Sequence, residues 1–335
     1  MLRTNIFLAA ASLRAAALTT IFAVTAASAA QAAVTVRPLS TVVSAKTAPV
    51  TFTRIDDSTK DPTFNQLLGI NNEGVISGYF GSGAMGHPNQ GYTIAPPYVN
   101  FVSDNVPGSM QTQATGINDQ GLTSGFWAPT NTGTDANFGF IRVPDQHGKF
   151  QFVSVNDSLV ASTPSVNQLL GINDSNIAVG FYNDANNNSH GYAYNANNAR
   201  LLPVNIPGAV SDAVTGVSNN NIICGFFTKT DAKTDGFLRA LSGGTPIEFH
   251  VPGFTTTQFL GVNASGIAVG FFIGSDKFPH GVVYNASNGK WMELDDKYGA
   301  QGTTLNGIND KNQIVGFYVD AAGNTHGVLI NNAVK

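Results

Sequence analysis

Two glycines nine residues apart, the first followed by Ile or Val and the second by two aromatic residues, occur six times in this chain. The copies are Gly69-Ile70-Asn71 with Gly78-Tyr79-Phe80, Gly116-Ile117-Asn118 with Gly125-Phe126-Trp127, and Gly171-Ile172-Asn173 with Gly180-Phe181-Tyr182. They continue as Gly216-Val217-Ser218 with Gly225-Phe226-Phe227, Gly261-Val262-Asn263 with Gly270-Phe271-Phe272, and Gly307-Ile308-Asn309 with Gly316-Phe317-Tyr318. A third glycine follows 20 to 23 residues after the first, at Gly91, Gly139, Gly191, Gly236, Gly281 and Gly327. The copies start 47, 55, 45, 45 and 46 residues apart. Regular recurrence at roughly 45 residues marks a supersecondary unit that buries its apolar faces only by stacking against its neighbours.

Each unit reads as four short strands. The first ends at the Gly-Ile/Val-Asn segment, and five residues after its glycine every copy has Gly or Asn: Gly74, Gly121, Asn176, Asn221, Gly266 and Asn312. These residue types tolerate positive φ, as a tight hairpin connection demands. The second strand carries the aromatic pair. Adjacent side chains in a strand point to opposite faces, so both faces of the sheet must be covered, which a one-faced antiparallel sheet does not provide. The third strand begins at the third glycine. Fourth strands are expected over Phe101 to Val106, Phe150 to Val155, Leu201 to Ile206, Ile247 to Val251 and Trp291 to Leu294. The sixth unit lacks one, whereas Val50 to Ile55 before the first unit reads like one. Placing that segment beside the last unit closes a ring and removes the exposed sheet edges. The expected fold is all-β: a six-bladed β-propeller of four-stranded blades over residues 50–335, closed by an N-terminal strand that completes the last blade.

The repeat unit, with His-Gly before the third strand in three copies, resembles the HAF-type extracellular repeat of bacterial exported proteins. His-Gly stands where that family's name implies His-Ala-Phe. The resemblance implies export and propeller-like repeats, and it implies no reaction. Residues 1–32 independently read as a signal peptide: Arg3 and Arg14 precede an apolar stretch from Ala15 to Val24, followed by the small-x-small sites Ala27-Ser28-Ala29 and Ala30-Gln31-Ala32. Residues 33–49 form a linker. A secreted or periplasmic bacterial protein is the expectation, with no membrane contact after cleavage. Net charge of −4 without long runs of one sign argues against nucleic acid as a partner. The remaining expected partners are a glycan or an extracellular protein, with the propeller itself a monomer.

Candidate chemistry is sparse. The single cysteine, Cys224, lies in an apolar run and reads as a buried, inert thiol. His190, His280 and His326 each precede the third glycine of a different blade, too far apart to share one ion; a structural bond to a loop carbonyl is expected. Neither the Asn183–Asn188 nor the Asp320–Asn324 loop has EF-hand spacing, so neither is assigned to calcium, and no metal or cofactor is assigned. Asp119, Asp174 and Asp310 follow the hairpin asparagine and are explained by Asx turns. No nucleophile elbow, His-Glu-x-x-His or phosphate loop occurs. Four copies have glutamine three residues before the first glycine: Gln66, Gln113, Gln168 and Gln258. On the innermost strands these form a candidate ligand-binding ring at the channel mouth; amide bridges between blades are the alternative. The functional expectation is a noncatalytic propeller that binds a glycan or protein. The alternatives are a polymer-degrading hydrolase or lyase and a structural matrix component.

Overall fold

The computed structural model describes residues 49–334 apart from 85, 133–134, 145–148 and 156–159. The expected signal peptide and nearly all of the linker lie outside the described residues. No helix occurs among those described, so none is long and apolar enough to cross a membrane.

The chain forms six antiparallel sheets of four strands. After β1 (Thr51–Arg54), blade 1 comprises β2 (Asn65–Ile70), β3 (Ile76–Phe80), β4 (Gln90–Ile94) and β5 (Phe101–Ser103). Blade 2 is β6 (Gln111–Ile117), β7 (Thr123–Ala128), β8 (Phe138–Pro144) and β9 (Phe150–Val155). Blade 3 is β10 (Asn167–Ile172), β11 (Ile177–Asn183), β12 (Ser189–Asn195) and β13 (Arg200–Pro203). Blade 4 is β14 (Ser211–Val217), β15 (Ile222–Thr228), β16 (Thr234–Ala240) and β17 (Ile247–Phe249). Blade 5 is β18 (Thr257–Val262), β19 (Ile267–Ile273), β20 (Pro279–Asn285) and β21 (Lys290–Glu293). Blade 6 is β22 (Thr303–Ile308), β23 (Ile314–Val319) and β24 (Thr325–Asn331), with β1 as its outermost strand. The pairing Thr51↔Asn331 through Arg54↔Val328 joins the two ends of the ring, as the sequence implies.

The first glycines explain how tightly the ring closes. A Cβ on Gly69 would stand 2.9 Å from the Cα of Gly116, and the same holds from each glycine to the next around the axis. The distances run from 2.9 to 3.2 Å, and Gly307 returns to Gly69. Six innermost strands thus meet backbone to backbone. One residue before each of these glycines the β-ladder slips, leaving Leu68, Thr115, Leu170, Thr215, Leu260 and Asn306 as bulges. A bulge re-aims its side chain, and here all six are buried. Leu170 and Leu260 share one cluster with Phe126, Phe181, Phe226 and Phe271, drawn from four blades. Thr115, Thr215 and Asn306 alternate with the leucines and hydrogen-bond the next blade's carbonyls of Leu169, Phe259 and Leu67. The channel is therefore plugged at this level.

The six hairpin positions Gly74, Gly121, Asn176, Asn221, Gly266 and Asn312 all have φ between 59° and 78°. The aromatic pairs cover both faces: the first ring of each pair is buried, as are Phe227, Phe272 and Tyr318 from the second set. The apolar core lies between blades. One cluster joins Val179 and Ala193 of blade 3 to Val214, Phe227 and Phe237 of blade 4, and another joins Leu238 of blade 4 to Phe259, Phe272 and Val282 of blade 5. Several fourth strands are shorter than the sequence suggests. After Ser103 and Pro203 the chain makes one last backbone bond, from Asp104 N–H to Gly91 and from Val204 N–H to Gly191, and then turns toward the next blade.

Candidate functional site

The hairpin asparagines build one end of the channel. Asn71 accepts the N–H groups of Glu73 and Val75 on its Oδ1, which shapes its own turn, and its Nδ2 donates to the carbonyl of Asn118 at 3.0 Å. Asn118 reaches Asn173 in the same way, Asn173 reaches Ser218, Asn263 reaches Asn309, and Asn309 returns to Asn71. The link from blade 4 to blade 5 is missing because Ser218 stands where the other copies have asparagine.

The next residue in each copy forms a second ring, closer to solvent. Asp119 Oδ1 accepts the N–H of Asn72 at 2.7 Å, Asp174 Oδ1 that of Asp119 at 2.8 Å, and Asn219 Oδ1 that of Asp174 at 3.0 Å. Asp310 Oδ1 accepts from Ala264 at 2.8 Å, and Asn72 Oδ1 accepts from Asp310 at 2.9 Å. The expectation of Asx turns for Asp119, Asp174 and Asp310 is therefore corrected: the preceding asparagine makes the turn, and the aspartate reaches across to the neighbouring blade. Ala264 has no side-chain acceptor to offer Asn219, so this ring also opens between blades 4 and 5, where Asn220 Nδ2 donates instead to the Ala264 carbonyl. There Asn219 Nδ2 spans the mouth to Asp310 Oδ2 at 3.1 Å.

These residues line an open depression of about 50 Å³. At roughly 10–15 Å³ per water-sized group, it has room for a few hydroxyls. Burial raises the Asp174 carboxyl above its usual range; the Asp119 amide opposes this, and the negative charges of Asp119 and Asp310 add to it. Three carboxylates and two amides thus surround the axis at one mouth.

The glutamines lie at the opposite end of the innermost strands and do not line this depression. Gln66, Gln113, Gln168 and Gln258 are 1%, 4%, 6% and 5% exposed. Gln66 accepts the Tyr79 hydroxyl within its own blade. Gln113 donates to Asn89 and Gln168 to Asn137, each in the preceding blade. The Oε1 atoms of Gln113 and Gln258 are buried without a hydrogen-bond partner. Asp212 on β14 is the one carboxylate on an innermost strand among the described residues. Burial pushes it up to about 6, against the N–H of Gly191, which donates to it.

The histidines stand at the same end as the glutamines, because the third strand starts where the second ends. Their partners are carboxylates, not the expected loop carbonyls. His190 Nε2 lies 3.0 Å from Asp184, and His326 Nδ1 lies 2.9 Å from Asp56 with its Nε2 3.3 Å from Asp320. Asp184 and Asp320 also cap the turns that lead into these histidines. Asp184 accepts from Asn186 and Asn188, and Asp320 from Ala322 and Asn324. Cys224 is fully buried, and burial pushes its thiol up to about 12.

No family model matches this chain, and no curated protein matches it. Among solved structures it is similar to AofleA from Arthrobotrys oligospora, with a TM-score of 0.55 at 10% identity, covering 85% of this chain and 87% of that one. It is likewise similar to a triple arginine-to-alanine variant of the same protein, with a TM-score of 0.52 at 11% identity and the same coverage. At this identity the likeness is one of fold.

Proposed function

We propose that this chain is an exported, noncatalytic propeller that binds a glycan at the aspartate and asparagine mouth. The observation that carries this reading is the ring of Asn72, Asp119, Asp174, Asn219 and Asp310 around an open depression sized for a few hydroxyls. Sugar hydroxyls both donate and accept, and carboxylate and amide groups side by side answer both needs. Each aspartate also spends one oxygen on a neighbouring backbone amide, and the second oxygens of Asp119 and Asp310 accept from the Asn72 and Asn219 side chains, so the groups are held in place before any ligand arrives. Such preorganisation lowers the cost of binding. Export rests on the pattern of residues 1–32 and on the likeness of the repeat to HAF-type repeats.

The test is a thermal-shift panel of oligosaccharides. A ligand bound only by the folded state at 100 times its Kd stabilises by about 2.7 kcal/mol. One glycan class is expected to raise the melting temperature of the wild type, and Asp310→Asn to lose at least half of that rise. No rise with any glycan would remove the reading.

A polymer-cleaving enzyme is the second reading, favoured by the raised carboxyl of Asp174 beside two others. Against it stands the commitment of Asp119 and Asp174 oxygens to the ring. Product release from a polysaccharide, abolished in Asp174→Asn, would put the enzyme in place of the binder.

A further inference from the structure

The outer rim of the blades repeats one constellation with different chemistry. It consists of the residue before the third glycine, the fourth-strand residue opposite the position just after that glycine, and the residue two further on. Blade 1 fills it with neutral groups, Gln90, Ser103 and Asn105, which hydrogen-bond one another. Blade 6 has His326, Arg54 and Asp56, with the Arg54 guanidinium on the Asp56 carboxylate. Blade 4 has Asp235, Glu248 and His250, with Lys229 Nζ 2.7 Å from Glu248.

Blade 5 fills the same places with His280, Glu293 and Asp295. Glu293 stands opposite Val282 as Arg54 stands opposite Val328, so a carboxylate occupies the position of the blade 6 cation. Among the described residues no lysine or arginine pairs with Asp276, Glu293 or Asp295. His280 Nδ1 lies 2.7 Å from Asp295 and 3.6 Å from Glu293, and the three ligand atoms all lie within 4.8 Å of one another. His280 Nε2 faces Asp276 at 3.2 Å. Asp276 is thus placed to accept the Nε2 proton and leave the Nδ1 lone pair toward the two carboxylates, the usual outer-shell support of a metal-bound histidine.

We propose that blade 5 binds one divalent transition-metal ion, best matched by Zn2+, through His280 Nδ1, Glu293 and Asp295. One imidazole nitrogen and two carboxylates suit a borderline ion better than calcium, which takes six to eight oxygens. Three protein ligands leave a position for water. The ion supplies in blade 5 the positive charge that Lys229 and Arg54 supply in blades 4 and 6. The site lies at the opposite end from the mouth assigned to glycan, and its test is independent of that reading.

Protein stripped with a chelator and titrated calorimetrically with ZnCl2 is expected to take up one equivalent. Glu293→Arg rebuilds the blade 6 pairing and is expected to abolish uptake with the metal-free melting temperature unchanged, since Glu293 is half exposed. Asp276→Asn, which removes only the outer carboxylate, is expected to weaken binding by roughly tenfold. Bound Co2+ is expected to show a visible spectrum that His280→Gln alters. Absence of uptake by the wild type, or equal uptake by Glu293→Arg, overturns the site; calcium bound in preference to zinc overturns the choice of metal.

Discussion

At Gly116 a methyl group has no room. Its Cβ would stand 2.9 Å from the Gly171 Cα, 3.1 Å from the Ile172 nitrogen and 2.7 Å from Ser124 Oγ. Two of these neighbours are backbone atoms of the next innermost strand, which the ring holds on both sides. Gly116→Ala is therefore expected to cost about 1–3 kcal/mol, the range for overpacking a rigid interior. Gly121 is the contrast: it has φ of +76° in the hairpin, and nothing lies within 4 Å of its Cβ position. Asn176, Asn221 and Asn312 already occupy its place in other blades at φ near 60°. Gly121→Asn is expected to cost less than about 1 kcal/mol, because asparagine tolerates the left-handed region that costs an ordinary side chain about 1–2 kcal/mol. Chemical denaturation of the two variants separates these demands. Equal stability would mean that the ring can widen, which its closure through all six glycines argues against.

Between elements, the junction of blades 1 and 2 is held by charge where other junctions are held by apolar clusters. Arg142 of β8 lies 3.0 Å from Asp104 at the end of blade 1, and both side chains are at most 5% exposed. Thr123 donates to Asp104, Arg142 donates to the carbonyl of Gly121, and its guanidinium lies 3.9 Å above the Phe150 ring. Burial is the largest influence on both groups: it raises Asp104 and lowers Arg142, against the attraction between them. Such a pair adds little net stability, yet breaking it leaves one charge buried alone. Asp104→Ala is expected to cost about 3–5 kcal/mol, whereas the double replacement Asp104→Leu with Arg142→Met should cost far less. Thermal unfolding of the three proteins checks the difference; equal losses would refute it. The contrast with the repeat shows what a sequence can disclose. Hairpin glycines, aromatic pairs and the displaced first strand were legible because six copies state the same local rule. The Asp104–Arg142 pair occurs once, between residues distant in the chain, so no spacing announces it. The aspartate ring was hidden differently. An Asn-Asp pair at a turn can cap that turn with either side chain, and only the neighbouring blade's amide decides that Asn118 caps while Asp119 bridges. Asp56 was hidden from His326 in the same way, since the two meet only across the closed ring, whereas Asp184 lies six residues before His190 in the loop that leads to it.

On the scale of the whole molecule, stability depends on the junction where the ends of the ring meet. β1 gives β24 its fourth-strand partner, Ile55 packs with Leu67, Val315 and Leu329, and Asp56 accepts from the Gly327 N–H. Removing residues up to Asp56 would bare the edge of β24, strip Ile55 from the contact between blades 6 and 1, and leave His326 without one carboxylate. Losing a buried isoleucine alone costs about 2–5 kcal/mol, and each kcal/mol is worth roughly 2–4 °C in a protein of this size. The truncated chain is expected to melt at least about 4 °C lower and to self-associate through the open edge. Truncation alone would not prove ring closure, because any deletion can destabilise. A rearranged chain does so more directly. β1 runs antiparallel to β24 with Thr51 opposite Asn331, the relation that β12 and β13 have across the short turn from Asn195 to Arg200. Moving Thr51 to Asp56 behind β24 through a turn of that length would convert the closing strand into an ordinary hairpin. That chain is expected to recover the melting temperature and the elution volume of the intact protein. Failure to recover either would mean that the segment contributes more than a strand and a carboxylate to the last blade.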